Sequence, residues 1–303
     1  MSRIAITGAT GLIGKALSTS LKADGHTVHA VTRSPDRAGP DDLVWDLEAG
    51  TIETAKLEGV DAVVHLAGEP IGASRWTEAT KRRIRRSREA GTDLISRSLA
   101  ALDAKPAVLV SGSAVGIYGD RGEERLTEEA SLGDDFVAEV CKTWESSATP
   151  AADAGIRVVH PRTGVVIASE GPLLDKLELP FKLGVGGKVG SGRQYVPWIS
   201  LSDQVRALRF LIDTELEGPV NLAAPAETTN HDMTKALGRV LRRPTILPIP
   251  VFAIRLLYGE MGASLANVSQ RVVPEKLQQA GFAFEHETIE AALRVALDRP
   301  AAA

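Results

Sequence analysis

The chain has a single cysteine, Cys141, among 303 residues, so no internal disulfide can form and nothing points to an oxidising compartment. No apolar run reaches the roughly eighteen residues that a membrane-spanning helix needs. The first apolar strand begins almost at Met1, which leaves no room for a signal sequence, and cytoplasm is the expected compartment. Six scattered histidines and the lone cysteine offer no metal-ligand spacing, so no metal is expected. An excess of positive charge is missing too. The net charge of −4 argues against nucleic acid or an anionic membrane as a main partner and leaves a small molecule as the expected ligand. The basic run from Lys81 to Arg88 is the exception, and it reads as the early part of an amphipathic helix with most of its charges in solvent.

What the chain does have is 44% hydrophobic residues, enough at this length for one large α/β core with a smaller appended lobe. Residues 3–14 combine a short β-branched run (Ile4, Ala5, Ile6) with Gly8, Gly11 and Gly14 and pass straight into a helical pattern of Leu12, Ala16, Leu17 and Leu21. A buried parallel strand that delivers the chain to a glycine turn and a helix start lets backbone N–H groups approach a pyrophosphate. Gly8, Thr10, Gly11, Leu12, Ile13 and Gly14 are therefore the candidate pyrophosphate residues. The next strand, from His26 to Val31, runs into Thr32, Arg33 and Ser34, where an acidic residue would hold the ribose hydroxyls of NAD. The acid is absent. Arg33, with Thr32, Ser34 and Arg37 beside it, offers a cationic fork for a ribose 2′-phosphate and predicts NADP(H) as cofactor, the alternative being a solvated arginine at a strand end.

The glycine spacing resembles that of short-chain dehydrogenase/reductases, and the chain resembles their extended branch. Asp61 to Gly68 matches that superfamily's fourth strand, which makes Leu66, Ala67 and Gly68 cofactor candidates unless they are small only to close a turn. Arg88 to Thr92 stands where extended members carry Asn-x-x-Gly-Thr, with Arg88 in place of the asparagine. That arginine lies beside cofactor phosphates or a substrate anion, or else on the surface of a basic helix. Val110 to Gly119 resembles the Ser-Ser-x-x-x-Val-Tyr-Gly segment and assigns to Ser113 the hydrogen bond to the reacting oxygen. Its position beyond a strand's carboxyl end supports that independently. The cofactor set implied by the resemblance is completed by Val166.

The Tyr-x-x-x-Lys helix that carries acid/base chemistry in this superfamily is present from Asp135 to Ala148, without its tyrosine. One register pairs Ala138 with Lys142 and another pairs Val137 with Cys141. Tyr118 is the nearest phenol and the other catalytic candidate. Further on, Arg162 falls in a turn expected to open the substrate lobe, residues 184–194 read as a β-hairpin over the active site, and Ser202 or Asp203 caps the next helix. Trp76, Trp144-Glu145, Pro197-Trp198-Ile199, Asn221 to Pro225, Leu241 to Pro244, Ser269 to Pro274 and Gly281 to Phe284 identify the chain as similar to one epimerase-like family of atypical extended short-chain dehydrogenase/reductases. Its members are usually labelled nucleoside-diphosphate-sugar epimerase or cell-division-inhibitor-like.

The expected fold is therefore α/β: a Rossmann-type doubly wound parallel sheet over residues 1–168, with returning segments near 195–225, and a smaller mixed α/β substrate lobe over 169–303. Three functions are open: an NADP(H)-dependent oxidoreductase or epimerase-like enzyme on a small carbonyl or sugar-like substrate, a non-catalytic NADP(H)-sensing protein, and a nucleotide-sugar epimerase. The apolar stretch around Pro248, Val251, Phe252, Ile254, Leu256, Leu257 and Tyr258 is expected to pack against the carboxyl-terminal lobe or against another copy in a homo-oligomer.

Overall fold

The computed structural model describes residues 1–298, with the side chain of Arg37 outside the described set. In chain order the elements are β1 (Arg3–Thr7), α1 (Leu12–Ala23), β2 (Thr27–Thr32), β3 (Leu43–Asp46), β4 (Thr51–Ile52), β5 (Ala62–His65), α2 (Glu78–Ala100), β6 (Val108–Ser111), β7 (Ser113–Ala114), β8 (Arg125–Leu126), α3 (Phe136–Ser146) and α4 (Thr149–Asp153). They continue with β9 (Arg157–Thr163), β10 (Val165–Ile167), α5 (Pro172–Lys182), β11 (Trp198–Ser200), α6 (Leu201–Asp213), β12 (Gly218–Leu222), α7 (Asn230–Leu241), α8 (Val251–Asn267), β13 (Arg271–Val272), α9 (Glu275–Gln279) and α10 (Ile289–Ala296).

The main sheet runs β12-β9-β6-β5-β1-β2-β3-β4, with β7 also paired to β9, and every pairing is parallel except the β3–β4 hairpin. The chain winds outward from β1 through β2 and β3, then crosses back to the other side of β1 with β5. That reversal makes the gap between β1 and β5 the topological switch point, where open α/β sheets bind their ligands. Period-two alternation decides the layers. Ile4 and Ile6 point to one face and pack with Leu17 and Leu21 of α1 and Leu208 and Leu211 of α6. Ala5 and Val63 point to the other, against Ile95 and Leu99 of α2. A separate cluster joins Leu174 and Phe181 of α5, Trp198, Met233 and Leu237 of α7 and Leu293 of α10.

Several local expectations change. Arg162 lies in β9 rather than in a turn. Pro161 does not end the strand because β6 pairs with β9 at residues 157–159 and β7 with residues 162–163, so the proline, which has no N–H to donate, falls in the break between the two. The stretch 184–194 is an irregular loop instead of a hairpin. Its glycines permit close approach: a Cβ on Gly187 would stand 1.7 Å from Leu247 O, and one on Gly186 would meet the Phe181 ring at 2.2 Å. Helix α6 is capped by Ser200, whose hydroxyl accepts from Asp203 N at 3.1 Å. Asp203 is buried and receives the Glu285 and His286 backbone N–H groups, which pins the carboxyl-terminal segment. Phe252, Leu256 and Leu257 on α8 do not pack against the carboxyl-terminal lobe: they are 74%, 75% and 64% exposed in the single chain.

Candidate functional site

Thr7 ends β1 at the switch point, fully buried. Its hydroxyl oxygen accepts from Leu66 N at 3.0 Å and Ala67 N at 3.1 Å, so its own hydrogen goes to His65 Nδ1 at 2.8 Å. Burial, with a smaller push from the Arg88 charge, lowers the His65 pKa to about 4, and the ring is neutral. This tie holds the chain leaving β5 against the glycine turn. Gly8 has φ +68°, and a Cβ there would stand 3.0 Å from Ala67 N and from Leu66 C; a Cβ on Gly14 would stand 2.2 Å from Gly8 O. Helix α1 starts at Gly11 with no side-chain cap and no acid in its first turn, while Thr10 and Gly11 are exposed and Leu12 and Ile13 half-buried. The turn is thus bare backbone, with the N–H groups of the helix start uncapped by any side chain, which is the arrangement an anion requires.

Two of the candidate cofactor residues are cations. Arg33, just past β2, is exposed and makes no ion pair among the described residues, and Ser34 N is held by Thr32 Oγ1 at 3.1 Å. Arg88 is half-buried rather than out on the basic face of α2. Its Nη1 donates to Glu69 O at 3.0 Å and to Ile84 O at 3.2 Å, its guanidinium lies 4.8 Å from the Trp144 ring centroid, and a Cβ on the exposed Gly68 would come within 3.4 Å of it. Val166 lies in β10, opposite Ile199 of β11, and packs against the main core.

Beyond the end of β6 a second polar cluster forms. Ser113 Oγ donates to Glu145 Oε1 at 2.6 Å. Arg162 grips the same carboxylate with two prongs, Nε to Oε1 and Nη2 to Oε2, each at 2.9 Å. Burial works to raise the Glu145 pKa, but the Arg162 hydrogen bonds and charge, with the Ser113 hydroxyl, outweigh it and hold the group below the ordinary carboxylate range. Arg162 Nη1 reaches Tyr118 Oη at 3.0 Å, and Tyr118 donates to Asn221 Oδ1 at 2.7 Å. Tyr118 is fully buried, with its pKa pushed up by desolvation. Both catalytic candidates are buried: Ser113, 4% exposed, lies in β7 just past the end of β6, and Tyr118 is held between Arg162 and Asn221.

The sequence matches the NAD dependent epimerase/dehydratase family over residues 4–141 and a domain of unknown function, DUF1731, over residues 249–296. The epimerase family protein Mb2239 of Mycobacterium bovis is 44% identical over 299 residues, covering 98% of each chain. This chain belongs to the epimerase family. The crystal structure of human epimerase family protein SDR39U1 (isoform 2) with NADPH matches it with a TM-score of 0.89 and 31% identity over 98% of this chain and 99% of that one. A nucleoside-diphosphate sugar epimerase from Corynebacterium glutamicum matches with a TM-score of 0.80 and 36% identity over 98% of this chain, which spans 58% of that protein. The family name describes shared ancestry and fold, and a reaction has to be argued from the site.

In this epimerase-family chain, α3 carries no phenol at either register of the expected dyad. Lys142 pairs with Glu139 on the surface, Val137 fills the space left by Gly116, and Cys141 is a buried thiol pushed up by desolvation to about 12. Sequence reasoning noticed Glu145 as part of a family motif and in setting one register of the dyad, and missed its contact with Ser113, 32 positions away. It also missed Thr7 and His65. The apolar run of β5 carrying one histidine opposite the threonine that ends β1 was a signal that could have found that pair.

Proposed function

We propose that this chain binds NADP(H) and acts as an atypical short-chain oxidoreductase or epimerase-like enzyme on a small carbonyl or sugar-like substrate. The observation that carries the reading is the bare turn at Gly8 and Gly14, where no Cβ fits, on the strand next to β2, just past whose end Arg33 is exposed and without an ion-pair partner among the described residues. The turn and the start of α1 would take the pyrophosphate, and Arg33 with Thr32 and Ser34 the ribose 2′-phosphate. Leu66, Ala67, Gly68 and Arg88 would line the ribose and phosphates on the β5 side, with Val166 from β10 completing the set. The human relative crystallised with NADPH supports the choice of cofactor. Residues 1–168 with the returning segments near 195–225 form the cofactor-binding part in this reading, and 169–303 the substrate lobe. The nicotinamide supplies the hydride chemistry when bound; the protein supplies orientation and the polar contact at Ser113.

The test is a titration with NADPH and NADH followed by nicotinamide absorbance in a metabolite extract, with Ser113→Ala alongside. NADPH oxidation or NADP⁺ reduction that depends on Ser113 supports the reading, and failure to bind NADPH contradicts it. The absent tyrosine and the burial of Tyr118 favour a second reading, a cofactor-sensing protein without turnover. That reading requires different affinities for NADPH and NADP⁺, since equal binding shifts no equilibrium.

A further inference from the structure

We infer that Ser113 meets its substrate as a hydrogen-bond acceptor, so that the group recognised there is a hydroxyl rather than a carbonyl oxygen, and that Glu145 is the positioning residue that sets this polarity. The inference rests on the proposed function, in which the substrate meets Ser113, a residue 4% exposed just past the end of β6.

A serine hydroxyl has one hydrogen and two lone pairs. Ser113 Oγ lies 2.6 Å from Glu145 Oε1, and one of the two groups must supply the hydrogen between them. Glu145 cannot, because both of its oxygens face Arg162 N–H groups at 2.9 Å. The guanidinium in turn cannot rotate away, since its Nη1 is held by Tyr118 Oη at 3.0 Å and Glu128 O at 3.2 Å. A carboxylate in a two-pronged arginine grip, with side-chain exposures of 15% and 5% for the pair, is ionised and only accepts. The hydrogen therefore belongs to Ser113 and points away from any substrate. What the Ser113 oxygen presents to a ligand is lone pairs. A carbonyl oxygen placed there would set lone pair against lone pair, whereas a hydroxyl donates to it. The resting site thus selects the alcohol of an alcohol/ketone pair, through Glu145 of α3, one turn beyond Lys142, held by Arg162 of β9.

The experiment compares cyclohexanol and cyclohexanone as probes, with dissociation constants from saturation-transfer NMR, on the full chain with and without saturating NADP⁺. Unmodified protein should bind cyclohexanol at least about tenfold more tightly, the scale of one hydrogen bond to a polarised group. Ser113→Ala should erase the difference. The double replacement Glu145→Leu with Arg162→Met, which leaves no unpaired buried charge and frees the Ser113 hydrogen, should erase or invert it; a merely structural Glu145 would leave the ratio unchanged. Equal or tighter cyclohexanone binding in the unmodified protein overturns the inference, as does the binding of neither probe in the millimolar range or an alcohol preference that survives Ser113→Ala. The unmodified protein and Ser113→Ala decide the question even where the double variant does not fold. Failure of NADP⁺ to bind would overturn the cofactor reading alone, because the probe comparison on the cofactor-free protein still reports the polarity of Ser113.

Discussion

Acidification should weaken this fold through His65 more than through any ordinary surface histidine. The ring is fully buried and neutral, with a pKa lowered from 6.5 to about 4. The unfolded chain takes up a proton at the ordinary value while the folded chain refuses it until about 4, so the unfolded state binds more protons in between. The stabilising contribution is complete above the ordinary value and is lost as pH falls. Working the linkage with these two values gives a loss of about 2 kcal/mol between pH 7 and pH 5, approaching about 3 kcal/mol at still lower pH. Urea unfolding of the unmodified protein and of His65→Asn at the two pH values isolates the effect. Asparagine can still accept from Thr7 but does not titrate, so the acid-induced loss should be about 2 kcal/mol smaller in the variant. An identical loss in both proteins would refute the assignment of a neutral, desolvated His65. The same side chain bears on the cofactor site, because the Thr7 hydroxyl that it accepts from also fixes Leu66 and Ala67 against Gly8.

Arg33→Asp should weaken NADPH binding by about tenfold to a hundredfold, the range of a lost charge-assisted contact, while leaving NADH within a few-fold; isothermal titration checks both. Gly14→Ala places a Cβ 2.2 Å from Gly8 O, so the turn must shift, and NADPH affinity should fall by about a hundredfold or more in the same assay. Arg162→Ala leaves the Glu145 carboxylate buried without its partner, and chemical unfolding should show a loss of about 3–5 kcal/mol. Cys141, buried with its thiol pushed up to about 12, should resist iodoacetamide at pH 8 in the native protein and react on unfolding, as mass spectrometry would show.

The parts of this molecule that were legible in the sequence are those where local chemistry leaves one solution. A β-branched run followed by glycines that must let backbone pass within van der Waals contact of backbone can be read without knowing the rest of the chain, and Gly14 against Gly8 is such a contact. The alternating strands belong to the same class, whereas the one cap read from the sequence, Ser202 or Asp203, falls instead at Ser200. The Ser113–Glu145–Arg162 cluster was not legible. Its three residues come from β7, α3 and β9, and their meeting depends on how α3 docks against the end of the sheet, which no spacing encodes. Pro161 hid Arg162 by suggesting a strand end, although the break between the β6 and β7 pairings accommodates it. The loop 184–194 misled in the opposite sense. Glycine there answers the approach of Phe181 and of the Leu247 backbone, and a glycine needed for packing looks in sequence like a glycine needed for turning.

The most direct test of the account is the ratio of NADH to NADPH dissociation constants for the unmodified full-length chain, measured by titration at one ionic strength. The bare glycine turn after β1, with an exposed Arg33 just past β2 that makes no ion pair among the described residues, predicts NADPH binding at least about tenfold tighter than NADH. Equal constants, or no binding of either nucleotide, would contradict it.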